Sequence, residues 1–143
     1  MPIEDVYTEV VGEHSRAPLH RRKLQNPTVT MRGVNPSCGD DITLELREKD
    51  GIIEDAAFTG VGCAISQASA DMMIEVVRGK SVQQAMELAG LFFAMIKGEV
   101  KSPEELERLE DAVALQGVSQ MPARVKCAVL AWHTLEDICN RQE

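Results

Sequence analysis

Aromatic side chains are scarce in this 143-residue chain: one Trp, one Tyr and three Phe. A core with so few rings has to be assembled from Val, Ile, Leu, Ala and the seven Met, whose flexible thioethers fill irregular gaps. A basic excess is missing as well. Lys and Arg total 15 against 23 Asp and Glu, a formal net charge of −8. That balance argues against nucleic acid as a partner, because sequence-independent binding draws its affinity from basic side chains on phosphate. No run of apolar residues approaches membrane-spanning length, and the opening "MPIEDVYTEVVGEH" has neither the apolar stretch nor the cleavage-like site of a secretory leader. The expectation is a cytoplasmic protein with no membrane association. Internal repeats, low-complexity tracts and dividing linkers are also absent, so residues 1–143 are read as one domain, large enough to bury a core without disulfide staples.

The patterning that is present is mixed. Ile3, Val6, Tyr7, Val10 and Val11 fall at helical spacing over residues 2–14, and Pro18 ends that pattern. His20, Arg21, Arg22 and Lys23 form a small basic cluster, read as a solvated connector, with partner docking as the alternative. A short β run, "TVTMRG", follows. "ITLELREKDGIIEDAAFTG" then predicts a hairpin: Ile42, Leu44 and Leu46 alternate with Thr43, Glu45 and Arg47, and Asp50-Gly51 is a tight-turn signal. The return strand places Ala56 and Phe58 on one face, although Ile52-Ile53 blurs its alternation.

Beyond residue 64 the period is helical. Ile65, Ala68, Met72 and Val76 make a stripe ended by Gly79. Ser81 with Gln84 is a capping box opening a helix with Val82, Ala85, Leu88, Ala89, Phe92 and Ile96 on its apolar face. Ser102-Pro103-Glu104-Glu105 is read as a second start, of a short and highly charged helix whose Glu104 to Asp111 stretch faces solvent. A last helix begins at Pro122 with Val125, Ala128, Val129, Trp132, Leu135 and Cys139 on one side. Two or three strands followed by a run of helices is an α+β pattern, with helices on one sheet face and the hairpin's polar face toward solvent. His14, His20 and His133 have no ligand spacing with a cysteine and are read as surface or packing residues.

Cysteine supplies the chemistry. In a reducing compartment, four cysteines are metal ligands, reactive thiols or core residues sooner than two disulfides. Cys38 lies in the Pro/Gly turn "NPSCGDD", Cys63 in the glycine-rich "TGVGCAISQ" just before a helix, and Cys127 a little over one turn into the last helix. Element boundaries leave backbone amides unpaired and expose thiols to helix dipoles, both of which favour the thiolate. Gly39, Gly60 and Gly62 permit close backbone approach around Cys38 and Cys63. Cys139 lies twelve residues past Cys127, on the stripe with Trp132 and Leu135, and is expected to be a buried core thiol.

With Asp40, the three thiols would make a complete tetrahedral set for Zn²⁺, although paired C-x-x-C knuckles are missing. A hard carboxylate among soft sulfurs suits a site that exchanges a ligand. Arg124 and Lys126, flanking Cys127, would offset part of the excess negative charge. Asp41 rivals Asp40, but falls on the alternate face if Ile42 points inward, so Asp40 is preferred. The residues alone leave another possibility open: Cys63 and Cys127 as small core residues, and Cys38 as a turn residue.

Three segments taken together go further. "NPSCGDDITL", "GVGCAISQASADMM" and "MPARVKCAVLAW" resemble the NifU/IscU-like iron–sulfur cluster assembly family, most closely its SufU branch, and the resemblance spans the chain from Tyr7 through the last helix. It implies an α+β fold of the SufE/NifU type, with a three-stranded antiparallel sheet, helices packed on one face, and a metal site at one exposed end. It implies Cys38, Asp40, Cys63 and Cys127 as zinc ligands, in a protein that receives sulfur from the persulfide of the PLP-dependent cysteine desulfurase SufS and passes it toward the SufBCD complex. On that reading the chain is a sulfurtransferase only with its partner, and a monomer or weak homo-oligomer. Cys38, in the most mobile of the three positions, is the expected sulfur acceptor, with Arg124 orienting Asp40 or Cys38. The alternative is an IscU-like scaffold holding iron or a transient [2Fe–2S] cluster on the same ligands. Lys126 stands where IscU proteins have a histidine, "MPARVK" replaces their Leu-Pro-Pro-Val-Lys motif, and the charged helical stretch at about 99–117 resembles a SufU insertion. All three favour zinc.

Overall fold

Alternation of Ile42, Leu44 and Leu46 with polar residues dictates a half-buried strand, and the chain folds accordingly. In the computed structural model, which describes residues 7–100 and 102–142, β2 (Asp40–Lys49) and β3 (Ile52–Val61) form an antiparallel hairpin. Its turn holds Asp50 at φ 53° and Gly51 at φ 80°, the left-handed pair that a two-residue hairpin turn requires. β1 (Val29–Asn35) pairs antiparallel with β2, giving a three-stranded sheet in the order β1-β2-β3. The Ile52-Ile53 ambiguity is resolved by a bulge. Arg47 pairs with Asp55 and Glu48 with Ile53, so Glu54 is an extra residue that shifts the phase. Ile53 is thereby buried on the same face as Ala56 and Phe58.

Helices cover that face. α2 (Ala64–Val77) is buried nearly all round and ends where Arg78 leaves helical geometry and Gly79 takes φ 85°. α3 (Val82–Ile96) starts with both bonds of the capping box: Gln84 N donates to Ser81 Oγ and Ser81 N to Gln84 Oε1, each at 3.0 Å. α5 (Pro122–Gln142) packs against α2, α3 and β1. Trp132 joins three helices, stacking on Phe92 of α3 at 4.3 Å while its Nε1 donates to Ser69 Oγ of α2, which in turn donates to the Ala128 carbonyl. A Cβ at Gly33 of β1 would collide with Thr134 Oγ1, so only glycine lets that strand lie so close to α5. Met72, Met73 and Met95 fill the interior as expected.

Several expectations change. At the N-terminus a π-helical turn, Tyr7–Val11, leads into α1 (Gly12–Arg16); Ile3 and Val6 of the expected helix lie outside the described residues. In the basic cluster Arg21, Arg22 and Lys23 are exposed, as a solvated connector requires, but the segment is also tied to the sheet. The main chain at His20 and Arg22 bonds to Phe58 along the free edge of β3. His20 is buried, its Nε2 2.6 Å from Glu75 Oε1, and Arg22 grips the Asp55 carboxylate at 2.9 Å. His14 is also more than a surface residue, bridging the buried Asp71 of α2 at 2.6 Å and the exposed Asp111 at 2.9 Å. His133 stacks on Phe93.

The charged helix is also different. α4 (Pro103–Leu106) has the expected Pro start, but Ser102 makes no side-chain cap bond, and the chain continues as a long 3₁₀ segment, Glu107–Gln120, kinked at Glu110 (φ 51°). Leu106, Leu109, Ala112, Leu115 and Val118 are buried at intervals of three. Three residues per turn puts those positions on one face, so burial fits the tighter winding. The acidic residues Glu104, Glu105, Glu107 and Glu110 remain exposed, as read.

A candidate metal centre at one end of the sheet

Asp40 opens β2 directly opposite Asn35 of β1, and the alternation that turns Ile42 inward turns Asp40 inward too. Its carboxylate is fully buried, which demands partners. Oδ1 accepts from the Cys63 amide at 2.9 Å and from Ser66 Oγ at 3.1 Å, and Asn35 Nδ2 stands 3.5 Å from Oδ2. Asp41, the rival, points outward into a two-pronged ion pair with Arg32 (2.8 and 2.6 Å), whose hydrogen bond holds the Asp41 carboxyl below its ordinary pKa.

Each cysteine arrives by a different local device. Cys38 sits exposed in the β1–β2 turn, its amide bonded to the Asn35 carbonyl, and Gly39 at φ 73° reverses the chain so that Asp40 follows on the inner side. Cys63 is the N-cap of α2: its Sγ accepts from the Ser66 amide at 3.5 Å, so the thiol takes the place that a serine hydroxyl ordinarily fills. Gly60 and Gly62 are required there. Gly60 has φ 120°, and a Cβ on Gly62 would meet Ser66 Oγ and lie 2.9 Å from Asp40 Oδ1. Cys127, on the second turn of α5, is buried with its Sγ 3.2 Å from that of Cys38.

Ligand atoms of Cys38, Asp40 and Cys127 all lie within 4.8 Å of one another. A tetrahedral shell with Zn–S bonds of about 2.3 Å separates its ligand atoms by roughly 3.8 Å, so the trio is near that scale, and the exposed Cys38 is the member free to adjust. Cys63 stands outside this compact trio, yet it contacts the same thiol. Burial pushes the Cys127 thiol far above its ordinary pKa, and interactions with Cys38, Cys63 and Asp40 push it further. Ionising this buried thiol is unfavourable by itself, and a divalent cation held beside it would reverse that, since a coordinating thiol ionises outright. The donor set therefore fits a soft divalent metal. Cys139 lies in the core beside Trp132 and Leu135, as its helix position required. Arg124 and Lys126 are exposed on the first turns of α5.

Two supporting residues escaped the sequence reading, Ser66 and Asn35. Ser66 is signalled only weakly, as the third helical residue after a capping cysteine, and Asn35 only by its cross-strand register with Asp40.

The described residues form an α+β domain with helices packed on a three-stranded antiparallel sheet, and at one end of that sheet a buried carboxylate lies among turn and helix-start thiols that could hold a metal ion. The chain belongs to the NifU-like N terminal domain family, which matches residues 6–137. It is 38% identical over 141 residues to the zinc-dependent sulfurtransferase SufU of Bacillus subtilis (strain 168), covering 99% of this chain and 94% of that one. It is 40% identical over 139 residues to the iron–sulfur cluster assembly scaffold protein IscU of Streptococcus pyogenes serotype M1, covering 97% and 86%. Among solved structures it is similar to FiSufU of Fervidobacterium islandicum AW-1, with a TM-score of 0.85 at 35% identity, covering 94% of this chain and 96% of that one. No helix among the described residues is long and apolar enough to cross a membrane.

Proposed function

We propose that this protein is a zinc-dependent sulfur acceptor of cytoplasmic iron–sulfur cluster assembly, taking persulfide sulfur from a cysteine desulfurase of the SufS type and relaying it toward a SufBCD-type scaffold. The observation that carries the reading is the pairing of an exposed Cys38 with a buried, fully hydrogen-bonded Asp40 and a buried Cys127. Cys38, Asp40, Cys63 and Cys127 would hold the metal, and the charged stretch at about 99–117 is read as the insertion of the SufU branch. Bound zinc would keep these thiols ionised at neutral pH and temper their reactivity until the donor docks.

The chain's own groups divide the work. Ser66 and the Cys63 amide fix Asp40, while Cys127 and Cys63 are anchored at helix starts. Cys38 alone is exposed, and its thiolate attacks the outer sulfur of the donor persulfide. A new S–S bond forms on Cys38, the donor's S–S bond breaks, and the donor sulfur leaves as a thiolate with no net oxidation. Arg124, on the turn of α5 preceding Cys127, is assigned the orientation of Asp40 or Cys38.

Mixing the protein with desulfurase, cysteine and a reductant tests this by sulfide release. Wild type accelerates release and Cys38→Ala does not; equal acceleration by both refutes the acceptor assignment. A second reading, a [2Fe–2S] scaffold on the same ligands, draws on the 40% identity to a protein named as a scaffold. Visible absorbance after anaerobic reconstitution with iron and sulfide separates the two.

A further inference from the structure

Charge is distributed unevenly around α1. On one side a cavity of about 480 Å³ is lined by the acidic Glu13, Asp71, Glu75, Glu110 and Asp111, with His14 and two apolar residues among them. On the other, a cleft of about 410 Å³ is lined by Arg16 and Arg21 together with Gln67, Gly62 and Ala64, and among the described residues no carboxylate borders it. Gly62 and Ala64 are the two chain neighbours of Cys63, so the wall of this cleft carries a candidate ligand of the metal centre.

The two arginines differ from most of the arginines in this chain. Arg22, Arg32, Arg47, Arg78 and Arg108 each pair with an Asp or Glu. Among the described residues, Arg21 donates only to the Gly60 carbonyl at 2.6 Å, and neither Arg16 nor Arg21 has a carboxylate partner. Both are exposed. In a protein of net charge −8, two guanidinium groups with no acidic partner among the described residues form a local positive spot on one cleft in a negative field. Beside them Val61, 62% exposed, adds an apolar contact just before Gly62. Guanidinium forks recognise carboxylates two-pronged, so the cleft fits a protein segment bearing Asp or Glu next to an apolar residue.

We propose that this Arg16–Arg21 cleft is the docking point for an acidic segment of the persulfide-donating protein, whose carboxylates pair with the two arginines beside Cys63. This rests on the sulfur-acceptor reading for the partner's identity. It adds a steering role: the cleft draws the donor to the metal end of an otherwise acidic molecule, and rim charges of this kind act mainly on association rate and salt dependence.

The test uses the full zinc-loaded chain and purified cysteine desulfurase, with the dissociation constant measured at rising NaCl alongside sulfide release. Charge reversal in R16E/R21E is expected to weaken binding about tenfold or more at low salt and to flatten its salt dependence, with zinc content and melting temperature close to wild type. R16K/R21K keeps the charge and is expected to restore most of the affinity, which separates pairing from a local folding defect at the Arg21–Gly60 contact. Equal affinity and salt dependence for R16E/R21E and wild type overturns the proposal, as does a lysine variant as weak as the reversed one. If wild type accelerates sulfide release and R16E/R21E binds normally, the cleft fails and the acceptor reading stands. If binding depends on the arginines but wild type accelerates nothing, the acceptor reading fails and the cleft stands. Absence of any binding by wild type overturns both.

Discussion

Ser66→Ala removes a hydroxyl shared between the buried Asp40 and the Cys63 carbonyl. The serine hydroxyl stands 3.1 Å from Oδ1 and 3.0 Å from the Cys63 carbonyl, whereas the cap of α2 runs through the Ser66 backbone amide and survives the substitution. Without the hydroxyl, Oδ1 keeps only the Cys63 amide at 2.9 Å. A hydrogen bond to a charged group contributes about 1.5–3 kcal/mol. At about 1.4 kcal/mol per decade, loss of that bond from the loaded state weakens zinc roughly ten- to a hundredfold, the range typical of groups that orient metal ligands. Competition against a chromophoric chelator reads the affinity, and circular dichroism checks the fold. Ser81→Ala is the control: it removes the capping hydroxyl of α3, distant from the site, and should lower stability by about 1 kcal/mol with zinc affinity unchanged. The reasoning requires the Ser66 bond to matter more with zinc bound than without. A folded Ser66→Ala protein that loses stability but keeps wild-type zinc affinity refutes it.

His14 links α1, α2 and the 3₁₀ segment, and it should make stability depend on pH. Burial pulls its pKa down, but hydrogen bonds to Asp111 and Asp71 outweigh that, so the folded value lies above the ordinary 6.5. A raised histidine pKa gives stability that is fully present below pH 6.5 and fades as pH rises through the folded value; melting temperatures across pH 6–9 should show this slope in wild type and a flatter one in His14→Gln. Cys139→Ala should keep wild-type zinc affinity in the same chelator competition, because the core places this thiol beside Trp132 and Leu135; loss of zinc there would overturn the ligand assignment.

Local chemistry made much of this molecule readable. Strand alternation alone turned Asp40 inward and Asp41 outward, and the Ser81–Gln84 pair gave the start of α3 to the residue. The bulge at Glu54 was hidden because an unpaired residue shows only once the partner strand fixes its register. The spacing of Leu106, Leu109, Ala112, Leu115 and Val118 was visible as letters, but acidic residues between them suggested a solvated face, and three-residue periodicity is rarely sustained so long.

The site divides along the same line. Thiols at element boundaries announce themselves by type and position, and glycines around them mark close approach. What holds the carboxylate does not: Ser66 and Asn35 are ordinary letters until folding sets them against Asp40 across 26 and 5 residues. The partners of the basic connector are hidden in the sequence for a similar reason. His20 and Arg22 have nearby acids only after β3 and α2 are in place to present Asp55 and Glu75.

The most direct measurement of the central claim is peptide mass spectrometry of the zinc-loaded chain after anaerobic incubation with cysteine desulfurase and cysteine. The account predicts the mass of one added sulfur atom on the peptide containing Cys38, with zinc still bound to the protein. Added sulfur on Cys63 or Cys127 instead, or none on any cysteine while the desulfurase turns over, would contradict it.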